Sequence, residues 1–398
     1  MVEDRRVGKI KNIFAGLRIA TIALTGTLAG CFGMGGPDEP SPSNIVTQAP
    51  PPVEQRVIGD GGTTIAMLLP ISAGGSASGL AQSFENAATL ALEEVNADNI
   101  RIVVSDTAGD ADTARIAAEN AVNSGAELLL GPVFAPAVAG AGDAARAASV
   151  PVIAFSTDAS VAGRGVYLLS FLPRQDATRI ISYASGQGLR SFAALVPDNG
   201  YGLVMEAAFR EAVATAGGSV VAVERYAEGD AAAGAARLGQ RGAFEAVFMP
   251  NGGNDPAAAA RELRNGGNNA RLLGSGQWGN REVLASPSLV GAWYPGPAPG
   301  GFEAFAQRYQ AKFGSTPPRT ASLVYDAALL ANGLVGARGP GAFNPASLEA
   351  RDGFLGVDGV FRLTANGLSE RGLAVYEVTN GGGNRVISPA PTNFGNGG

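Results

Sequence analysis

The chain has 398 residues, 46% of them hydrophobic and 16% charged, with a formal net charge of −6; that length gives room for two domains with cores of their own. It holds no histidine and a single cysteine, which excludes histidine metal ligands, Ser–His and Cys–His nucleophile pairs, internal disulfides and thiolate clusters. The acidic balance, without any basic block, argues against a grip on a phosphate backbone, so no nucleic-acid partner is expected.

Residues 1–30 read as an export leader. Five bases, Arg5, Arg6, Lys9, Lys11 and Arg18, stand there against Glu3 and Asp4, a net of +3; taking this from −6 leaves the remainder near −9. The apolar stretch 19–30 is too short to span a bilayer and runs into Leu28-Ala29-Gly30-Cys31. These four residues resemble the lipobox of bacterial lipoproteins, which implies cleavage before Cys31 and acylation of its thiol. Phe32 follows, where an aspartate would point to inner-membrane retention in some Gram-negative bacteria, so the outer membrane stays open as a destination. Arg5-Arg6 makes a weak twin-arginine signal, because Gly8 and Lys9 stand where hydrophobic residues are wanted. Residues 31–62, with Pro37, Pro40, Pro42 and Pro50-Pro51-Pro52, are expected to form a Pro/Gly-rich tether that holds the folded part off the membrane. Lys312 is the one lysine beyond the leader, which reads as compositional bias.

From Thr63 the pattern alternates. Thr63–Leu69 is an apolar strand closed by Pro70, followed by a Gly/Ser loop over 72–79 and a helix with Leu80, Phe84, Ala87, Ala91 and Val95 on one face. A strand over 100–104, a turn over 106–112 and an alanine-rich helix ending at Asn123 come next. Leu128–Leu130 and residues 152–155 are short strands apolar on both faces. The unit then restarts with strands over 192–196, 219–223 and Ala246–Met249, and helices over 201–216 and 256–265. Segments 125–139 and 242–259 share a layout of Gly-Ala, acid, apolar strand, Pro-containing turn and alanine-rich helix. Apolar strands separated by helices indicate an α/β fold with buried parallel sheets, here two of one architecture.

Open parallel sheets bind ligands beyond the carboxyl ends of their strands. A cleft between two such sheets is lined by loops 71–75, 106–107, 133–135, 156–158, 199–201, 251–254 and 277–278. The candidate lining residues are Ser72, Asp106, Phe134, Ala135, Ser156, Thr157, Asp158, Tyr201, Asn251, Asn254, Gln277 and Trp278. Plainer roles compete for some of them. Ser156, Thr157 and Asp158 also suit a helix cap. Trp278 suits either a stacking platform or a core plug, and Tyr201, like Tyr325, suits core or hinge packing.

Five strings carry a family resemblance: Leu130-Gly131-Pro132; Val150-Pro151-Val152-Ile153; Pro197-Asp198-Asn199-Gly200-Tyr201-Gly202; the stretch 321–328; and the stretch 359–367. Their order and spacing, over residues 64–384, resemble the leucine/isoleucine/valine-binding type of periplasmic solute-binding protein. The resemblance implies a type 1 fold of two Rossmann-like lobes with parallel sheets, joined by three crossovers. The lobes would be 63–172 plus 301–350 and 173–300 plus 351–385, with a flexible tail over 386–398. In that family first-lobe hydroxyls and amides hold a ligand carboxylate, and a second-lobe carboxylate holds its ammonium. Those positions fall near Ala135 and Gly276, which carry neither group, so ordinary amino-acid capture is not expected here. The string from Gly131 through Phe134 and on to 151–158 is closer to the penicillin-binding protein activators, lipoproteins that keep this fold and regulate cell-wall synthases. The best-known of these carry a helical-repeat domain where this chain has a tether.

Gly274-Ser275-Gly276-Gln277-Trp278-Gly279 matches G-x-G-x-x-G, but it lies late in the chain and before a broken Pro/Gly segment, so a cleft-lip loop is the better account. No lysine has a serine three residues before it, which removes the S-x-x-K transpeptidase motif. No pair of carboxylates stands out as acid and base, and neither cofactor nor metal is expected. The combined expectation is a non-catalytic, lipid-anchored, periplasm-facing protein that regulates peptidoglycan synthesis by contacting a penicillin-binding protein. The alternative is the substrate-binding lipoprotein of an ABC importer, with a permease as partner and an amino acid or other small polar metabolite as ligand.

Overall fold

Strands form where apolar side chains fall on both faces, and in the computed structural model, which describes residues 56–395, they assemble into two large sheets. The first contains β1 (Arg56–Ile58), β2 (Thr63–Leu69), β3 (Ile100–Asp106), β4 (Leu128–Leu130), β5 (Val152–Ala154) and β6 (Val166–Leu168), in the order β1-β3-β2-β4-β5-β6. Its pairs are parallel except β1 with β3. Successive strand side chains point to opposite faces. Ile65, Met67 and Leu69 therefore meet Phe84, Ala87 and Ala91 of α1 (Gly75–Glu94), while Ala66 and Leu68 meet α2 (Ala111–Asn123) and α3 (Ala135–Ala147). Val95, expected on the buried face of the first helix, is 47% exposed because the helix ends one residue earlier.

The second sheet repeats the plan. α4 (Pro173–Gly186) leads into β7 (Ser191–Pro197), α5 (Gly200–Thr215), β8 (Ser219–Tyr226), α6 (Ala231–Gly239), β9 (Ala246–Met249), α7 (Asp255–Asn265), β10 (Arg271–Gly274), α8 (Arg281–Leu284) and β11 (Trp293–Gly296). On β7, Phe192, Ala194 and Val196 pack toward α4 and α5, and Ala193 and Leu195 toward α6 and α7.

The chain then returns to the first lobe through α9 (Gly301–Phe313), α10 (Ala321–Arg338) and α11 (Pro345–Leu348). It continues as a small antiparallel sheet of β12 (Phe354–Gly356), β13 (Gly359–Leu363) and β14 (Ser369–Arg371). β15 (Ala374–Thr379) and β16 (Gly383–Ser388) complete the second sheet, in the order β16-β15-β11-β10-β9-β7-β8, with β15 antiparallel to β11.

Three expected boundaries move. Phe361 and Leu363 are buried in the first lobe's core, and Leu168 bridges to Leu368. Residues 351–371 therefore sit with the first lobe, and the second regains the chain at Ala374. Residues 56–58, expected in the tether, are an edge strand. Residues beyond 386, expected as a loose tail, hold the end of β16, and the Phe394 ring lies 4.6 Å from the Arg362 guanidinium. The leader, Cys31 and the tether up to residue 55 lie outside the described residues. Among the described residues no helix is long and apolar enough to cross a membrane.

The crossovers, 169–172, 297–300 and 372–373, are bonded to one another's flanks. Leu168 N donates to Gly367 O (2.7 Å), Arg179 Nε to Leu373 O (2.7 Å), and the Tyr376 hydroxyl to Pro297 O (2.6 Å). Beside them lies a buried charge cluster. Arg371, 7% exposed, rests on Phe171 and Phe361 with Nη1 and Nη2 unpartnered, while Asp326, 3% exposed, leaves Oδ2 unpartnered. Burial pushes the Asp326 carboxyl up to about 7, against the lowering influence of Arg371. Asp358 pairs with Arg319 and accepts from Ser322 Oγ (2.7 Å).

Candidate functional site

Because β2–β6 are parallel, their carboxyl ends share one edge, and the same holds for β7–β11. Each edge carries a mouth of short loops.

At the first mouth, Asp106 ends β3 and its Oδ1 accepts from Ser72 N (3.1 Å) and Ala108 N (2.9 Å), tying two loops together. Partial burial works against ionisation, but hydrogen bonds from Ser72, Ala108 and Ile71 outweigh it and hold the carboxyl below its usual range. Ser156 is buried, with Oγ accepting from Asp158 N (3.2 Å). Asp158 accepts from Ser160 N (2.9 Å) and Oγ (2.7 Å), which keeps it ionised and caps a 3-10 turn over Ala159–Val161. Both side chains are thus committed to the loop, the capping role. Thr157 is exposed, Phe134 is 37% exposed at the N-cap of α3, and Ala135 begins that helix half-buried.

At the second mouth, the Tyr201 hydroxyl donates to Pro250 O (3.2 Å) and lies 3.4 Å from Ser275 Oγ, which donates to the same carbonyl. Burial pushes Tyr201 up to about 12, so it is neutral. Asn251 donates to Asp255, and Asn254 and Gln277 are exposed.

Trp278 is a correction. It is fully buried within the second lobe's core, its Nε1 donating to Asn251 O (3.0 Å). The indole lies so close to Gly274 that a Cβ there would stand 2.2 Å from it. It plugs the core and cannot stack on a ligand.

Asp176 is the residue that sequence reasoning missed. It sits in the first turn of α4, half-buried, and its Oδ2 accepts from Gly276 N (2.8 Å). A Cβ on Gly276 would stand 3.1 Å from Oδ2 and 3.4 Å from Oδ1. A carboxylate thus stands beside position 276, brought there from a helix far away in sequence. Desolvation by the surrounding protein pushes its carboxyl up to about 7, in spite of the Gly276 amide. The visible signal was Gly276 itself, a missing side chain that makes room for another. Two further cavities lie away from the mouths: about 510 Å³ between β1 and α1, and about 430 Å³ between α10 and the β12–β13 hairpin.

Comparison with known proteins adds three kinds of result. A family model described as periplasmic binding protein matches residues 62–383. No curated protein sequence matches the chain. Among solved structures, a protein assigned to a branched-chain amino acid ABC transporter of Rhodospirillum rubrum aligns with TM-score 0.73 at 22% identity, over 82% of this chain and all (100%) of its own. A solute-binding protein of an ABC transporter from R. palustris, in complex with benzoate, aligns with TM-score 0.55 at 20% identity, over 84% and 97%. The branched-chain amino acid transporter substrate binding protein LivJ from Streptococcus pneumoniae, in complex with isoleucine, aligns with TM-score 0.54 at 21% identity, over 82% and 99%.

Proposed function

The chain belongs to the periplasmic binding protein family and has its two-lobed type 1 fold, and from that premise we propose that it is the solute receptor of an ABC importer. The observation that carries this reading is the pair of polar mouths at the carboxyl ends of two parallel sheets whose lobes are joined by three crossovers, an arrangement suited to closing on a solute. Thr157 and Phe134 reach the ligand from the first lobe; Asp176, Tyr201 and Gln277 reach it from the second. Asp106, Ser156 and Asp158 hold the first mouth in shape. The protein binds its solute without transforming it, faces the periplasm, and is fastened to a membrane through lipidated Cys31, with the permease as partner.

The strings shared with penicillin-binding protein activators support a second reading, regulation of a cell-wall synthase. Transport stands first because the structural neighbours named above are described as transporter proteins and because Asp176 restores the carboxylate whose loss had argued against solute capture. Melting temperature measured against amino acids, amines, aromatic acids and cell-wall fragments tests the choice. A ligand at a hundred times its Kd stabilises by about 2.7 kcal/mol, which is a rise of a few degrees for lobes of this size. A rise with a small solute upholds the receptor. A rise with cell-wall fragments alone, together with recovery of a synthase from crosslinked membranes, replaces it with the regulator.

A further inference from the structure

α10 is apolar around nearly its whole girth: between Ala321 and Ala337 its one charged residue is Asp326. A helix of that kind needs cover on every side. The first lobe's core covers most of it, with Leu323, Leu330 and Leu334 packed there, and the β12–β13 hairpin covers part of the remainder. The cavity of about 430 Å³ lies in what is left. Leu329, Leu330, Leu334, Phe354 and Phe361 form its wall. Gly333 adds nothing to fill it, since even a Cβ there would meet no atom within 4 Å, and Leu355, 84% exposed, stands at the rim.

One polar side chain belongs to this wall, that of Asp326. Its Oδ1 accepts from Val357 N (2.8 Å) in the hairpin turn, while Oδ2 is buried with no donor among the described residues. Buried carboxyl oxygens are ordinarily satisfied, and one left bare costs the desolvation of the group. Arg371, in whose field Asp326 lies, stands 5.5 Å from the Phe361 ring and is not part of the wall.

We propose that this cavity is a second ligand site, for a small uncharged apolar molecule carrying a single hydroxyl group that bonds to Asp326 Oδ2. An apolar cavity of about 150 Å³ holds benzene, so this one has room for a chain of about eight carbons. The head group follows from charge. Arg319 and Arg371 already balance Asp326 and Asp358 beside the crossovers, so an ammonium or a carboxylate would bring an unpaired charge into an apolar wall. A hydroxyl donates to an ionised carboxylate and accepts from a protonated one, which suits a carboxyl that burial holds near 7. Only first-lobe residues form this site, so it stands independently of the receptor reading.

The full chain is made as Cys31→Ser, so that neither an acyl chain nor detergent competes for the cavity. It is titrated by calorimetry with 1-octanol, 1-methoxyoctane, octylamine and octanoate. 1-Octanol is expected to bind with a Kd below about 1 mM, at least tenfold tighter than the other three. Gly333→Leu fills the cavity and is expected to weaken 1-octanol at least tenfold. Should that variant fail to fold by circular dichroism, Leu355→Ser decides: it is exposed, and is expected to weaken 1-octanol about threefold with the urea midpoint unchanged. Equal binding of 1-octanol and 1-methoxyoctane, tighter binding of octylamine or octanoate, an affinity indifferent to these substitutions, or no binding overturns the proposal. Sedimentation that shows a dimer dissolved by Leu355→Ser gives the cavity to a second copy of the chain and overturns it as well. None of these outcomes bears on solute capture in the cleft.

Discussion

Asp176 and Gly276 are 100 residues apart in the chain and one hydrogen bond apart in the fold. A methyl group at 276 would press on the carboxylate, so Gly276→Ala is expected to weaken solute binding about tenfold by calorimetry and to cost about 1 kcal/mol of stability, the low end of overpacking. Trp278→Ala, in contrast, empties the second lobe's core and is expected to cost about 3–5 kcal/mol in urea unfolding, the range for large aromatic truncations. Protonation gives a third test. Asp176 and Asp326 both titrate near 7 in the fold and near 4 in the unfolded chain, so the folded form holds more protons between those values. Their contribution is fully present below about pH 4 and is lost as pH rises through about 7. Urea midpoints are therefore expected to fall over that window, and Asp326→Asn is expected to flatten the fall.

Elements whose identity depends on local pattern were legible in the sequence. Thr63–Leu69, Leu128–Leu130 and Ala246–Met249 have the residue bounds that their apolar runs suggest. Elements whose identity depends on distant partners were not. β1 is three residues long and becomes a strand because β3 offers it an edge. The stretch 359–371 forms a hairpin that the sequence reading did not name, and the lobe it joins is decided by where Phe361 and Leu363 find a core. The site divides in the same way. Strand ends located the mouths, yet side-chain roles turned on neighbours. Ser156 and Asp158 are spent on their own loop, Trp278 on the core, and Asp176 emerged only from the contact between α4 and the loop after β10. Asp158→Ala is accordingly expected to lower stability by about 1 kcal/mol, the usual worth of a helix cap, with solute affinity nearly unchanged. Phe134→Ala is expected to reduce affinity with little effect on stability. Reversal of that pair would move the first lobe's contact from Phe134 to the 156–158 loop.

At the scale of the whole molecule, two lobes with separate cores share three short connections, and Arg371, Asp326, Arg319 and Asp358 gather beside them. Solute binding is expected to shrink the radius of gyration measured by small-angle X-ray scattering as the lobes close. The edge strand β1 adds a mechanical asymmetry. It pairs with β3 alone, so whatever precedes Arg56 is fastened to the first lobe, and the second lobe is reached from there only through the crossovers. In the proposed anchored receptor the first lobe would then be the stator and the second the rotor: a pull on the N-terminal side would hold one jaw at a fixed bearing while solute capture swings the other about the crossovers.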